Sequence, residues 1–154
     1  MKKITINGKE YTLEYSFDAA EDRDCVQAVF KILSGAYVAR RAVGVNENDI
    51  IGAGSAIIDG MSDQATEIPH IVNVTFSAGL LENHEGITKE ESKKLLRTYM
   101  KETKTSYMGM YELIRDCMEE DGFFDLSGLT EMIQAMNNAA MEKTEKITKK
   151  KTTK

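Results

Sequence analysis

Lys3-Ile4-Thr5-Ile6-Asn7-Gly8-Lys9-Glu10-Tyr11-Thr12-Leu13-Glu14-Tyr15 alternates apolar and polar residues on either side of an Asn-Gly pair. Alternation sends successive side chains to opposite faces of a strand, and Asn-Gly accepts the two left-handed residues of a tight hairpin loop. With Asn7-Gly8 as the loop, Ile6 faces Lys9, Thr5 faces Glu10 and Ile4 faces Tyr11. Ile4, Ile6, Tyr11, Leu13 and Tyr15 then share one face. A lone two-stranded ribbon is marginal in water. The pattern therefore predicts a hairpin over residues 1–16 whose interface residues Ile4, Ile6, Tyr11 and Leu13 pack on a helical body or meet a second subunit, unless the open edge pairs with another chain.

Outward from the hairpin the period changes from two to that of a helix. Ser16 and Asp18 offer caps to a helix carrying Ala19, Val26, Val29, Phe30 and Leu33, which ends near Ser34-Gly35. From Ala36 to Ala53, Gly44 and Gly52 weaken any helix and Asn46 or Asn48 offers a cap, so a short helix is expected there. Ser62 or Asp63 starts another, which Pro69 should break before a separate helix resumes over Ile71–Leu81 and stops at Gly86. Thr88-Lys89-Glu90-Glu91 has the spacing of a capping box. Leu95, Leu96, Tyr99 and Met100 follow as one stripe, and Tyr107, Met110, Tyr111, Ile114 and Met118 as a second, with the two helices meeting near Thr103 to Thr105. Asp125 or Ser127 begins a last helix bearing Leu129, Met132, Ile133, Met136 and Ala140. The fold class expected is mainly α, a helical bundle preceded by an N-terminal β-hairpin. It forms one domain over residues 1–142, followed by a flexible lysine-rich tail over 143–154.

Totals agree with a folded helical body. Hydrophobic residues are 42% and charged residues 29% of 154, the balance of a globular domain, and one proline with nine methionines leans toward helix. The N-terminal residues lack the apolar run of a signal peptide, and Ile71–Leu81, interrupted by Asn73, Thr75 and Ser77, falls short of a membrane span. A cytoplasmic protein without membrane contact is expected. Residues 143–154 carry six lysines and one glutamate, so the net charge of −5 leaves −10 on residues 1–142. An acidic body makes nucleic acid an improbable partner, because phosphate contacts need a basic surface.

Few residues offer chemistry. Cys25 and Cys117 are too few and too far apart for a disulfide framework or zinc module and read as reduced core thiols. His70 and His84 lack the spacing of a paired metal ligand, and His84 beside Glu85 reads as a solvated pair in a polar turn. Gly52-Ala53-Gly54-Ser55 lacks the spacing and following lysine of a phosphate loop, and small residues packing closely explain it better. Around Gly122 and Gly128 the register for a calcium loop puts Cys117 or Phe123 where a carboxylate is needed; a glycine turn anchored by two aromatics explains the segment. No catalytic residue, metal site or cofactor is expected, and the protein reads as a binding protein and not an enzyme.

Methionine rises above this background. Met100, Met108, Met110, Met118, Met132, Met136 and Met141, seven of the nine methionines, lie between residues 100 and 141. Methionine is flexible and polarizable, so a methionine-rich groove can repack around different apolar helices. Met108 and Met110 cannot both share the main stripe of their helix, which makes at least one of them a surface residue. The helices over Ser106–Glu119 and Ser127–Met141 carry more apolar positions than one core-facing stripe needs. The candidate client-binding set is Met108, Met110, Tyr111, Ile114, Met132 and Met136.

Taken in order, three stretches resemble the tail assembly chaperones of long-tailed bacteriophages. They are Lys2-Lys-Ile-Thr-Ile-Asn-Gly-Lys-Glu-Tyr-Thr-Leu-Glu-Tyr-Ser-Phe17, Phe76-Ser-Ala-Gly-Leu-Leu-Glu-Asn-His84 leading into Ile87-Thr-Lys-Glu-Glu91, and the lysine-rich end. The resemblance implies a helical protein of the host cytoplasm, absent from the mature virion. It would coat the hydrophobic helices of the tape-measure protein and recruit the major tail-tube protein, with a homo-oligomer compatible with both. It also implies a longer form made by ribosomal frameshifting, for which Lys149-Lys150-Lys151 is a fitting slip site. Two readings compete with it: a nucleic-acid-associated regulatory protein using the basic tail, and a small hydrolase whose site is not visible in one sequence.

Overall fold

Strands β1 (Lys2–Ile6) and β2 (Lys9–Leu13) pair antiparallel, with Ile4 opposite Tyr11, Thr5 opposite Glu10 and Ile6 opposite Lys9. Asn7 and Gly8 both take positive φ, 49° and 74°, as a two-residue loop with the twist of its strands requires. The computed structural model describes residues 1–34 and 50–139, with side chains from 54 onward in the second stretch. The helices that follow are α1 (Phe17–Glu21), α2 (Arg23–Leu33), α3 (Ile50–Leu81), α4 (Lys89–Thr103), α5 (Tyr107–Glu120), α6 (Phe123–Leu126) and α7, residues 129–139. The fold is mainly α with an N-terminal β-hairpin. The helix expected within Ala36–Ala53 lies outside the described residues up to residue 49, as do Met141 and the tail 143–154; residues 50–53 form the first turn of α3.

Helix α3 is the axis of the bundle and touches α1, α2, α4, α5 and β2. It supplies Ile68, Val72, Phe76 and Leu80 to a core shared with Val29 of α2, Leu96 of α4, Met110, Ile114 and Met118 of α5, and Phe123 and Leu129 beyond. The apolar hairpin face joins the same core. Ile4, Ile6, Leu13 and Tyr15 are all but inaccessible, and Tyr11 is at most 9% exposed. Each large apolar side chain taken from water returns about 1.5–3 kcal/mol, so docking supplies stabilisation that a lone ribbon lacks. The hairpin packs on its own helical body.

Polar contacts fix the hairpin's seat. Thr12 N–H donates to His84 Nε2 at 2.9 Å, and the His84 ring tilts against Tyr11 with centroids 5.3 Å apart. His84 is therefore a clasp between β2 and the turn after α3, not a solvated partner of Glu85. Glu14 N–H donates to the Gly79 carbonyl at 2.8 Å, and His84 N–H to the Leu80 carbonyl at 2.9 Å. Both acceptors belong to the last turn of α3, whose carbonyls have no partner within the helix. Tyr15 N–H donates to Asp121 Oδ2 at 2.9 Å, which ties the end of the hairpin to the C-cap of α5.

Four expectations about helix boundaries and packing need correction. Pro69 does not divide the chain into two helices, and α3 runs through it for 32 residues. A proline within a helix costs about 3 kcal/mol, less than the burial of Ile68, Ile71, Val72 and Phe76 around it returns. The helix expected from Ser16 to Leu33 is two, because Asp22 turns to an extended ψ of 107° and its side chain accepts the Cys25 N–H at 2.8 Å, capping α2. Ser16 stands at the N-cap of α1 without a side-chain capping bond. Gly54 is not closely packed, since a Cβ there would meet nothing within 4 Å. The last helix does not begin at Asp125, which lies in α6, but at residue 129, just past Ser127 and Gly128, the latter at φ 73°. By contrast, Thr88 and Glu91 form both halves of the capping box, with N–H to side-chain oxygen distances of 3.2 and 2.9 Å.

Candidate functional site

The helical spacing of α5 turns one side to the core and leaves the next to line a groove. Met110, Ile114 and Met118 are each at most 2% exposed, whereas Met108, two residues from Met110, is 49% exposed. One of the two methionines had to face outward, and it is Met108. Tyr111 lies between these faces, half-buried, and burial raises its phenol above the ordinary range.

Tyr111 and Ile114 form one wall of a narrow apolar groove between α2, α3, α5 and α6. Val29, Ile32 and Leu33 line it from α2, Ile71 and Thr75 from α3, Met118 from α5 and Phe124 from α6. Thr75 is buried and donates its hydroxyl to the Ile71 carbonyl at 2.8 Å, so it brings no unanswered polar group to the groove. Arg115 stands at the rim, paired with Asp116 at 3.1 Å, which raises its already high pKa. Met108, Tyr111 and Arg115 follow one another at intervals of three and four, so Met108 extends the same edge along the helix.

Helix α7 begins two residues after α6, beyond the positive-φ Gly128. Its apolar stripe is Leu129, Met132, Ile133 and Met136, yet only Leu129 is fully buried. Met132 is 51% and Met136 46% exposed, and Leu126 just before the turn is exposed as well. The apolar face of α7 is thus mostly uncovered.

The candidate residues separate into two kinds. Met110 and Ile114 belong to the core, with an edge of Ile114 reaching the groove, and cannot both hold the bundle together and lie open to a client. Met108, Met132 and Met136 are surface residues, and Tyr111 bridges the two. Spacing alone missed Leu33, Ile71 and Phe124, because the groove is made by four helices meeting. The hairpin residues Ile4, Ile6, Tyr11 and Leu13 are interface residues within the chain itself.

Elsewhere the ionisable groups serve structure. Cys25 and Cys117 are free and buried, and desolvation pushes the Cys25 thiol up to about 12 and raises that of Cys117. Among the described residues no group of three or more His, Cys, Asp or Glu side chains could hold a metal ion. Among them, too, no helix is long and apolar enough to cross a membrane. The arrangement defines a mainly helical protein with an apolar groove and a partly uncovered methionine helix. No protein-family model, curated protein or solved structure matches the chain.

Proposed function

We propose that this chain is a tail assembly chaperone of a long-tailed bacteriophage, binding the hydrophobic helices of the tape-measure protein and helping to recruit tail-tube subunits. The observation that carries the reading is the uncovered apolar face of α7, with Met132 and Met136 about half exposed on a helix held by Leu129. Exposed apolar surface of this kind is costly in a monomer and is the usual mark of a partner's place. A helix laid there would bury both methionines, whose pliable side chains accept varied client sequences. The resemblance of Lys2–Phe17 and Phe76–Glu91 to this family supplies the client, and the acidic body suits a soluble carrier.

Glutamate substitutions test it. Met108→Glu, Met132→Glu and Met136→Glu should each leave stability within about 0.5 kcal/mol of the parent, because surface changes seldom do more. A co-expressed tape-measure fragment should then move from the soluble fraction to the pellet. Met110→Glu, by contrast, should unfold the protein, since an unpaired charge in the core costs several kcal/mol. Full client solubilisation by all three surface variants would remove this surface from the function.

A further inference from the structure

Of the polar contacts that seat the hairpin, the one at His84 depends on a proton being absent. Thr12 N–H donates to His84 Nε2 at 2.9 Å, and a ring nitrogen that accepts carries no hydrogen. The bond therefore requires the neutral imidazole, with its hydrogen on Nδ1. The next bond along the same edge makes no such demand, because Glu14 N–H meets the Gly79 carbonyl at 2.8 Å and that acceptor does not titrate.

Histidine is the side chain that ordinarily changes charge between about pH 5 and 8. Once Nε2 holds a hydrogen, two N–H groups point at each other, and either the ring must turn or β2 must lift. The surroundings give a charged ring somewhere to turn. Glu82 and Glu85 lie in the same turn, and Glu14, held by Asn83 Nδ2 at 2.8 Å, stands just beyond β2. Asp18 of α1, whose N–H donates to Glu82 at 3.2 Å, adds a carboxylate from that helix. On the β2 side Lys9 sits 5.1 Å over the Tyr11 ring, whose other neighbour is His84, and Lys89 at the start of α4 is paired with Asp24. The carboxylates draw in a charged ring while the lost bond resists it, so what the proton changes most directly is the contact with Thr12.

We propose that His84 is a proton-operated latch on the hairpin. Neutral, it holds the outer edge of β2 against the turn after α3; charged, it lets go of Thr12 and turns toward the carboxylates. Ile4, Ile6 and Leu13 stay buried in the core, so release frees the β2 edge and not the whole hairpin. The Thr12 N–H then becomes an unpaired donor on a strand edge. The inference stands whether or not the methionine face of α7 holds a client.

Nuclear magnetic resonance of the full chain tests it in two ways. At pH 8 the His84 ring should carry its hydrogen on Nδ1 and none on Nε2. Protection of the Thr12 amide from hydrogen exchange, taken relative to the intrinsic rate at each pH, should fall roughly tenfold between pH 8 and pH 5, the scale of one hydrogen bond lost. The Val26 amide, bonded to the Asp22 carbonyl at 3.0 Å, should keep its protection over the same range. His84→Gln supplies a side-chain acceptor that does not titrate, so its Thr12 protection should be the same at both ends. His70→Gln, which removes the other histidine, should leave the fall in place. Hydrogen on Nε2 at pH 8, undiminished Thr12 protection in the parent, or a fall that persists in His84→Gln or vanishes in His70→Gln would overturn the proposal. So would equal losses at Thr12 and Val26, since acid would then be unfolding the whole chain.

Discussion

Gly79 decides how tightly the hairpin can sit. A Cβ added there would lie 2.7 Å from both Cζ and the hydroxyl oxygen of Tyr15, closer than such atoms approach. Tyr15 cannot swing away: it is fully buried, donates to the Thr75 carbonyl at 3.1 Å and meets Phe123 edge-on at 6.2 Å. In an isolated helix Gly→Ala gains about 1 kcal/mol, so the two effects have opposite sign. Overpacking should win here, and Gly79→Ala should lower stability by about 2 kcal/mol in chemical denaturation. A stabilised Gly79→Ala protein would mean that the tyrosine seat is loose.

Cys25 gives a second test at this scale, through pH. Its thiol is raised by burial first and by Asp22 second, from an ordinary 9 to about 12. Above pH 9 the unfolded chain therefore releases a proton that the folded chain keeps. Fewer protons on the unfolded state mean that stability falls as pH rises, here between about 9 and 12. Buried Tyr15, also raised, acts in the same direction. Cys25→Ala should lessen the loss of stability measured between pH 8 and 10.5, and a profile identical to the parent's would assign the loss elsewhere.

Among the elements, those governed by local chemistry were legible in the sequence. The register of β1 and β2 followed from period two and Asn7-Gly8, and the start of α4 from the reciprocal bonds of Thr88 and Glu91. Both depend on residues at most a few positions apart. The breaks were less legible, Asp22 because several acidic residues nearby could cap a helix, and Pro69 because its outcome turns on distant packing. Asp22 looks like any acidic residue of a first turn until its side chain is seen capping α2, and Pro69 looks like a terminator until the burial around it is counted. The candidate site divided in the same way. Spacing showed that Met108 and Met110 face differently, but which one meets the core depends on where α3 lies. A proline inside α3 still removes the N–H that would bond the Ala65 carbonyl. Pro69→Ala should accordingly raise the melting temperature, by the equivalent of about 1–3 kcal/mol, and a drop would show that the proline ring itself is needed in the packing.

At the scale of the whole molecule, the chain closes on itself from its beginning. The hairpin is the first element in sequence, yet its contacts lie at Thr75, Gly79, His84 and Asp121, the last 106 residues from Tyr15. A ribosome adds about 5–20 residues each second, so the ribbon waits roughly 5–20 s before α5 and its C-cap exist to receive it. Through that interval Ile4, Ile6, Tyr11, Leu13 and Tyr15 have no seat, and an unseated ribbon of this kind is both unstable and adhesive. The ribbon is thus made well before the elements that shelter it, and until they exist its apolar face is left for whatever else the cell offers to cover it.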